Sequence, residues 1–199
     1  PDPQVVRDAE IRAALPSVVR VLGTACGLGI SGSGWVAGPN IVVTDAHVIA
    51  GQTDTTADGR PAVAVAFDRR NDIAVLRVRG LNRRPLQHFD ASQGTPVAIV
   101  GYPNNGPLTA TPGRLGGTAT VLSEDAYGNG PVTRKITSFR GRVRRGNSGG
   151  PLLDGDGRVV GTVFASRTGT NAGYAVPPDL VRRALAGARR RVSAGPCAS

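Results

Sequence analysis

Three side chains in this sequence have the types needed to turn a hydroxyl group into a nucleophile, and competitors for those roles are few. The chain holds two histidines, His47 in "VVTDAHVIA" and His88 in "LQHFD". His47 closes an apolar run ahead of a small-residue turn, whereas His88 lies among ordinary strand residues and reads as a structural or surface group. Ser148 stands in "RGNSGGPLLDG", among glycines that let the backbone approach a bound group with its N–H groups pointing at it. Asp72 precedes the apolar run "IAVLRV". A serine hydroxyl is a weak nucleophile until an imidazole takes its proton, and the imidazole needs a carboxylate to fix its tautomer and balance the cation. The expected catalytic residues are therefore Ser148 as nucleophile, His47 as general base and Asp72 as orienting carboxylate. Gly146, Asn147 and Ser148 form the segment whose backbone would stabilise an oxyanion.

Such groups must be held by rigid elements, and the apolar pattern says which. Short valine-rich runs such as "SVVRVLGTA", "NIVVTDAHVIA", "DIAVLRV", "TPVAIVGYP", "RKITSF" and "RVVGTVFAS" are separated by Gly, Pro, Asn and Asp. Strands of that length with turn signals between them predict an all-β barrel or sandwich. The polar stretch 81–96, "LNRRPLQHFDASQGTP", divides the strands into two groups of about six. Helical spacing is clear at the end, in "PPDLVRRALAGARRRV", and a shorter helix is expected in "PQVVRDAEIRAALPS", halted before Pro16. The segment "GYPNNGPLTATPGRLGGT" has so many Gly, Pro and Asn residues that it reads as a loop near the site.

The net charge of +10 is carried almost wholly by arginine, since Lys135 is the one lysine. Arginines cluster at Arg142, Arg144 and Arg145 and again at Arg182, Arg183, Arg189, Arg190 and Arg191. No aromatic residues interleave them to stack on bases, so no nucleic-acid partner is expected, although an arginine-rich module for anionic envelope polymers is a rival reading. No apolar run reaches the roughly 20 residues that cross a bilayer. A start without Met leads us to expect a mature or excised part of a longer chain. Cys26 and Cys197 are too far apart and too few for a metal site, which leaves one long-range disulfide or two free thiols. No metal and no cofactor is expected.

Three blocks, "GSGWVAGPNIVVTDAHVIA", "NDIAVLRV" and "RGNSGGPLLDGDGRVVGTVFAS", resemble the signature blocks of chymotrypsin-fold serine proteases in their bacterial high-temperature-requirement branch. Their order, His then Asp then Ser, is the order of that family. The resemblance covers roughly residues 17 to 180 and implies two six-stranded antiparallel β-barrels with the triad in the cleft between them. The implied organisation is a helical arm over 1–16, a first barrel over 17–95 carrying His47 and Asp72, and a second barrel over 96–178 carrying Ser148. A C-terminal helix and tethered tail over 179–199 complete it.

The segment "VGYPNNGPLTATPGRL", the paired cysteines and the tail "AGPCAS" resemble the membrane-anchored acid-resistance serine proteases of mycobacteria and related actinobacteria. That resemblance implies a Cys26–Cys197 disulfide and an extracytoplasmic location, secreted or anchored by N-terminal membrane helices absent from this chain; a monomer is expected because no regulatory peptide-binding module follows the protease region. It implies cleavage of envelope proteins under acid or oxidative stress, with cell-wall hydrolases among the candidate substrates. A pseudoprotease that binds peptides in the same cleft is the alternative.

Departures from the family pattern add expectations. Asn147 stands where digestive proteases have aspartate, so control is expected from ordering of the loops over 101–130 and 141–147. Arg142 takes the place of the aspartate that binds basic side chains, and Phe164, Ala165 and Ser166 are expected on the opposite wall of the substrate pocket, which disfavours Lys or Arg there. Asp45 is expected to be a turn residue.

Overall fold

Valine-rich runs that alternate buried and exposed positions become outer strands, and runs buried on both faces become central ones. The computed structural model describes residues 1–198. In the first sheet β1 (Val18–Ala25), β2 (Leu28–Gly38), β3 (Ile41–Thr44), β4 (Thr56–Ala57), β5 (Arg60–Pro61), β6 (Val63–Asp68) and β7 (Ile73–Arg77) lie in the order β5-β4-β1-β2-β3-β7-β6. β1 and β2 pair without interruption from Val18 opposite Trp35 to Ala25 opposite Leu28. Cys26 and Gly27 close their turn, both at positive φ, the conformation a two-residue hairpin turn needs. The second sheet closes as a barrel, β10-β13-β12-β11-β8-β9, built from β8 (Pro96–Gly101), β9 (Thr109–Ser123), β10 (Val132–Gly141), β11 (Pro151–Leu153), β12 (Val159–Ser166) and β13 (Ala172–Val176).

The chymotrypsin-like architecture is therefore the observed one, with one difference of detail. The second unit is the expected six-stranded barrel, while the first is a seven-stranded half-barrel whose outer strands β5 and β6 are not neighbours. Its opening follows from the outer strands themselves: β4 and β5 are two residues long, and Pro61 has no N–H to offer a further neighbour. The free side of β6 is met by the C-terminal tail, where Val192 N–H donates to Ala64 O at 2.9 Å.

One core joins the two units. Val18, Trp35, Val43 and Ile73 from the first sheet pack with Val100, Leu153 and Val176 from the second, and Ile11 and Leu180 extend this core into the terminal helices. Trp35 is fully buried, and its Nε1–H donates to Thr162 Oγ1 at 3.1 Å across the junction. Burial of so large a ring with its polar atom paired locks the relative position of the units at the cleft.

The helical segments are shorter than the periodicity suggests. Helix α1 (Ala9–Ala14) ends before Pro16, which sits in a short 3-10 turn, Leu15–Ser17. After the single-turn helix α2 (Ala46–Ile49), α3 (Pro178–Gly187) stops short of Arg189–Arg191. The arginine run leaves the helix because its backbone is taken up elsewhere: Arg77 Nη2 donates to Arg189 O at 2.9 Å. The segment expected as one loop is largely strand. Only 102–108 lies outside β8 and β9, and Thr109 to Thr118 pair as part of β9. Its glycines answer close packing rather than turning, since a Cβ on Gly113 would meet Arg140 O at 2.9 Å. The cysteines form the Cys26–Cys197 disulfide, tying the tail to the tip of the β1–β2 hairpin.

Candidate active site

β3 ends at Thr44, and the chain passes through Asp45 into α2, whose first turn carries His47. Asp72 sits at the start of β7 in the left-handed region, φ 55°, a conformation that Asp tolerates better than most residues. Asp68 braces this corner by accepting from Asn71 N–H at 3.0 Å and from Asn71 Nδ2 at 2.7 Å. The Asp72 carboxylate then grips His47 twice: Oδ1 accepts the backbone N–H at 2.8 Å, and Oδ2 stands 2.7 Å from Nδ1. With Nδ1 carrying the proton toward Asp72, Nε2 is left as the acceptor, the arrangement a general base needs. Burial works against the charged imidazole, yet the Asp72 charge and hydrogen bond outweigh it and raise the His47 pKa above its ordinary value, with Arg134 acting the other way.

Two further ionisable groups crowd this pair. Asp45 is fully buried 3.9 Å from His47 Nδ1, and neither carboxyl oxygen has a hydrogen-bond partner among the described residues. Burial and the charge of Asp72 push its pKa well above the ordinary carboxylate value, with the positive charge of Arg134 acting the other way. It is a buried acid, not the plain turn residue its neighbourhood in the sequence suggests. Arg134, on β10, is also buried, donating to Glu124 O at 3.0 Å and Asn71 O at 2.9 Å, and it stacks 4.2 Å above the Phe164 ring. Asp45, His47 and Asp72 could in principle ligate a metal, since their ligand atoms lie within 4.8 Å of one another. The 2.7 Å between Nδ1 and Asp72 Oδ2 is hydrogen-bond spacing. It is shorter than the roughly 3.3 Å between two tetrahedral ligands at zinc distances.

The glycine-rich turn approaches from the other unit. Gly146 and Gly149 adopt φ of 95° and 83°, which a side chain would strain. Ser33 on β2, which the sequence reading did not single out, fastens the turn to the first sheet. Its N–H donates to Ser148 O at 2.8 Å, its hydroxyl donates to Gly146 O at 2.7 Å, and Ser33 Oγ accepts from Tyr102 N–H at 2.9 Å. The flanking small residues in "GSGW" are the one hint of this close approach in the sequence. The Asn147 N–H donates to Arg144 O at 3.0 Å and its side-chain oxygen accepts from Arg144 N–H at 2.8 Å. Asn147 is thereby a brace within the turn and not a free donor. The Gly146 and Ser148 N–H groups have no acceptor among the described residues.

His47 and Ser148 line one cleft of about 1010 Å³ between the units, walled by Val143, Phe164, Ala165 and Ser166. Arg142, expected in this wall, is exposed and does not line it; the chain leaves β10 at Gly141, φ 149°, and Val143 faces the cleft instead. His88 is remote from this chemistry, half-buried edge-on to Trp35 at 6.5 Å, with its backbone bridged to Val159.

Residues 32–161 match the trypsin-like peptidase domain family. The chain is 37% identical to the serine protease Rv3671c of Mycobacterium tuberculosis, over all of this chain and 53% of that protein. It is 34% identical to the chloroplastic protease Do-like 1 of Arabidopsis thaliana, over 76% of this chain and 37% of that one. The chain thus spans about half or less of the length of these relatives. The crystal structure of the Rv3671c protease in its active form superposes with a TM-score of 0.94 at 36% identity, covering 100% of this chain and 93% of that one. The inactive form of the same protease superposes at 0.83 and 35% identity, covering 96% and 98%.

Proposed function

The chain belongs to the trypsin-like peptidase family, and from that premise we propose that it is a serine endopeptidase acting through His47, Asp72 and Ser148. The observation that carries this reading is the double grip of Asp72 on His47, facing the cleft that Ser148 also lines. In the proposed reaction His47 Nε2 takes the Ser148 hydroxyl proton as Oγ attacks the substrate carbonyl. The Gly146 and Ser148 N–H groups receive the developing oxyanion, and His47 returns the proton to the leaving amine. Water then repeats the sequence on the acyl-enzyme. Phe164, Ala165 and Ser166, with Val143, form the wall that meets the side chain before the cleaved bond, which suits an apolar or medium-sized residue.

The disulfide supports an oxidising, extracytoplasmic compartment. Together with the likeness to Rv3671c it supports a role in the cell envelope, with membrane anchoring in a longer protein and envelope proteins, cell-wall hydrolases among them, as substrates. No helix of the described residues is long and apolar enough to cross a membrane.

The test is covalent labelling by a fluorophosphonate followed by mass spectrometry. Stoichiometric adduct is expected on Ser148 and is expected to fall at least 100-fold in rate in His47→Ala. Its rate should rise with pH through a value above 6.5, the ordinary imidazole pKa, since the folded site holds His47 protonated longer. Absence of labelling at every pH would overturn the reading.

A further inference from the structure

The two parts of the cleft around His47 differ in their charged lining. The part of the cleft that contains Ser148 is bounded by Leu28–Ser31, Asn104, Asn105 and the turn from Val143 to Gly146, and no Asp or Glu lines it. Beyond His47 and Asp72 the opposite part is lined by charges of both signs, Glu124, Asp125 and Arg134, with Asp125 paired to Arg69. Arg144 and Arg145 line the acid-free part and are exposed. Among the described residues neither guanidinium lies within ion-pair distance of a carboxylate; in this arginine-rich chain only Arg69, Arg83, Arg158 and Arg182 have such a partner.

The two arginines are also fixed at their roots. Arg144 is held from both sides by Asn147, and Arg145 O accepts from Asn104 N–H at 2.6 Å. Arg145 directly precedes Gly146 and lines the same cleft as Ser148, where a bound peptide would lie. Two neighbouring like charges repel. In a cleft with apolar walls such as Val143 and Phe164, unopposed positive charge is focused toward a bound segment. The group that matches two planar guanidinium forks is a carboxylate, taken bidentately.

The geometry points to Arg144 and Arg145 as specificity-determining residues that select peptide segments with an aspartate or glutamate within two residues of the cleaved bond. This inference rests on the peptidase reading above and names its substrate class as acidic segments.

The experiment uses fluorogenic peptides identical except for Ala, Asp or Lys at each of the two positions on either side of the cleaved bond. Wild type is compared with Arg144→Ala/Arg145→Ala and Arg144→Glu/Arg145→Glu, with rates normalised to fluorophosphonate-titrated sites. At one or more of these positions wild type is expected to favour Asp over Lys by about tenfold in kcat/KM, the worth of one charge-assisted hydrogen bond. The ratio should fall below about threefold in the alanine variant, invert in the glutamate variant and shrink with added salt. An Asp-to-Lys ratio within about threefold of wild type in the glutamate variant overturns the inference. Should the titration find no reactive serine, the peptidase reading fails by itself. The same peptides are then ranked by fluorescence anisotropy for binding to Ser148→Ala with and without the arginine changes, where equal affinities for Asp and Lys peptides overturn the inference.

Discussion

At the scale of single residues, Asp45 departs furthest from what an exposed side chain does. Burying a carboxylate without partners disfavours its charged form and raises its pKa well above the ordinary value, and the Asp72 charge beside it adds to the effect. The unfolded chain loses this proton near the ordinary carboxylate pKa, whereas the folded chain holds it to higher pH. Above that pH the folded state binds more protons, so this site's share of stability falls as pH rises, until the folded pKa is passed. Asp45→Asn, the nearest neutral mimic, should therefore unfold at a higher temperature than wild type at pH 7 to 8, by about 2–4 °C or more. The difference should vanish toward pH 4; equal melting curves at both pH values would show Asp45 ionised at no cost. Such a group cannot be read from "TDAHV", because the groups that act on it, Asp72, Gly149 and Arg134, are distant in sequence. The proposed triad of His47, Asp72 and Ser148 stands out in the sequence for the opposite reason: His is scarce in this chain, and glycine clusters around one serine. Ser33 and Arg134 belong with Asp45, ordinary in the sequence and important once buried.

At the scale of elements, glycine has two meanings that a sequence does not separate. In "GYPNNGPLTATPGRLGGT" the Gly and Pro residues suggested a loop, yet β9 runs through half of them because strands approach closely there. In the serine turn both meanings hold at once. Gly149 has φ 83°, and a Cβ there would run into Ser33 O and the Thr44 hydroxyl, the groups that join β2 and β3 beneath Ser148. Gly149→Ala should therefore displace Ser148 from the Ser33 N–H and lower the fluorophosphonate labelling rate at least 100-fold. The accompanying loss of stability should be about 1–3 kcal/mol. Gly169 is the control, at φ 73° with open space where its Cβ would stand. Gly169→Ala carries the backbone cost alone, about 1 kcal/mol, and should label at the wild-type rate. Equal labelling by the two variants would mean that the packing beneath the serine does not hold the site.

At the scale of the molecule, the two-unit plan was legible because turn-rich residues 81–96 interrupt the strand pattern between Arg77 and Pro96. The unequal closure of the units was not, since it depends on how the C-terminal tail returns. α3 packs through Leu180 and Val181 on the core shared by both units. The chain then crosses β6 at Val192, donates no further helix bonds, and passes Gly51, whose N–H donates to Ala194 O at 3.1 Å. Gly51 is at φ 75° and a Cβ on it would overlap Cys197, so the tail lies directly on the turn after α2, the helix that carries His47. The disulfide ends this strap at the β1–β2 hairpin and closes a loop of 171 residues in sequence separation. Such a closure removes unfolded-state entropy worth about 5 kcal/mol in the chain-entropy account, with strain or residual structure reducing the yield. Cys26→Ser/Cys197→Ser should accordingly unfold at lower denaturant than wild type with a free-energy loss of about 2–5 kcal/mol. A reductant should shift the wild-type midpoint toward that of the variant and leave the variant unchanged. If reduction moved neither midpoint, the strap would be held by the Val192 and Gly51 hydrogen bonds, and the oxidised pair would carry no part of the fold's stability.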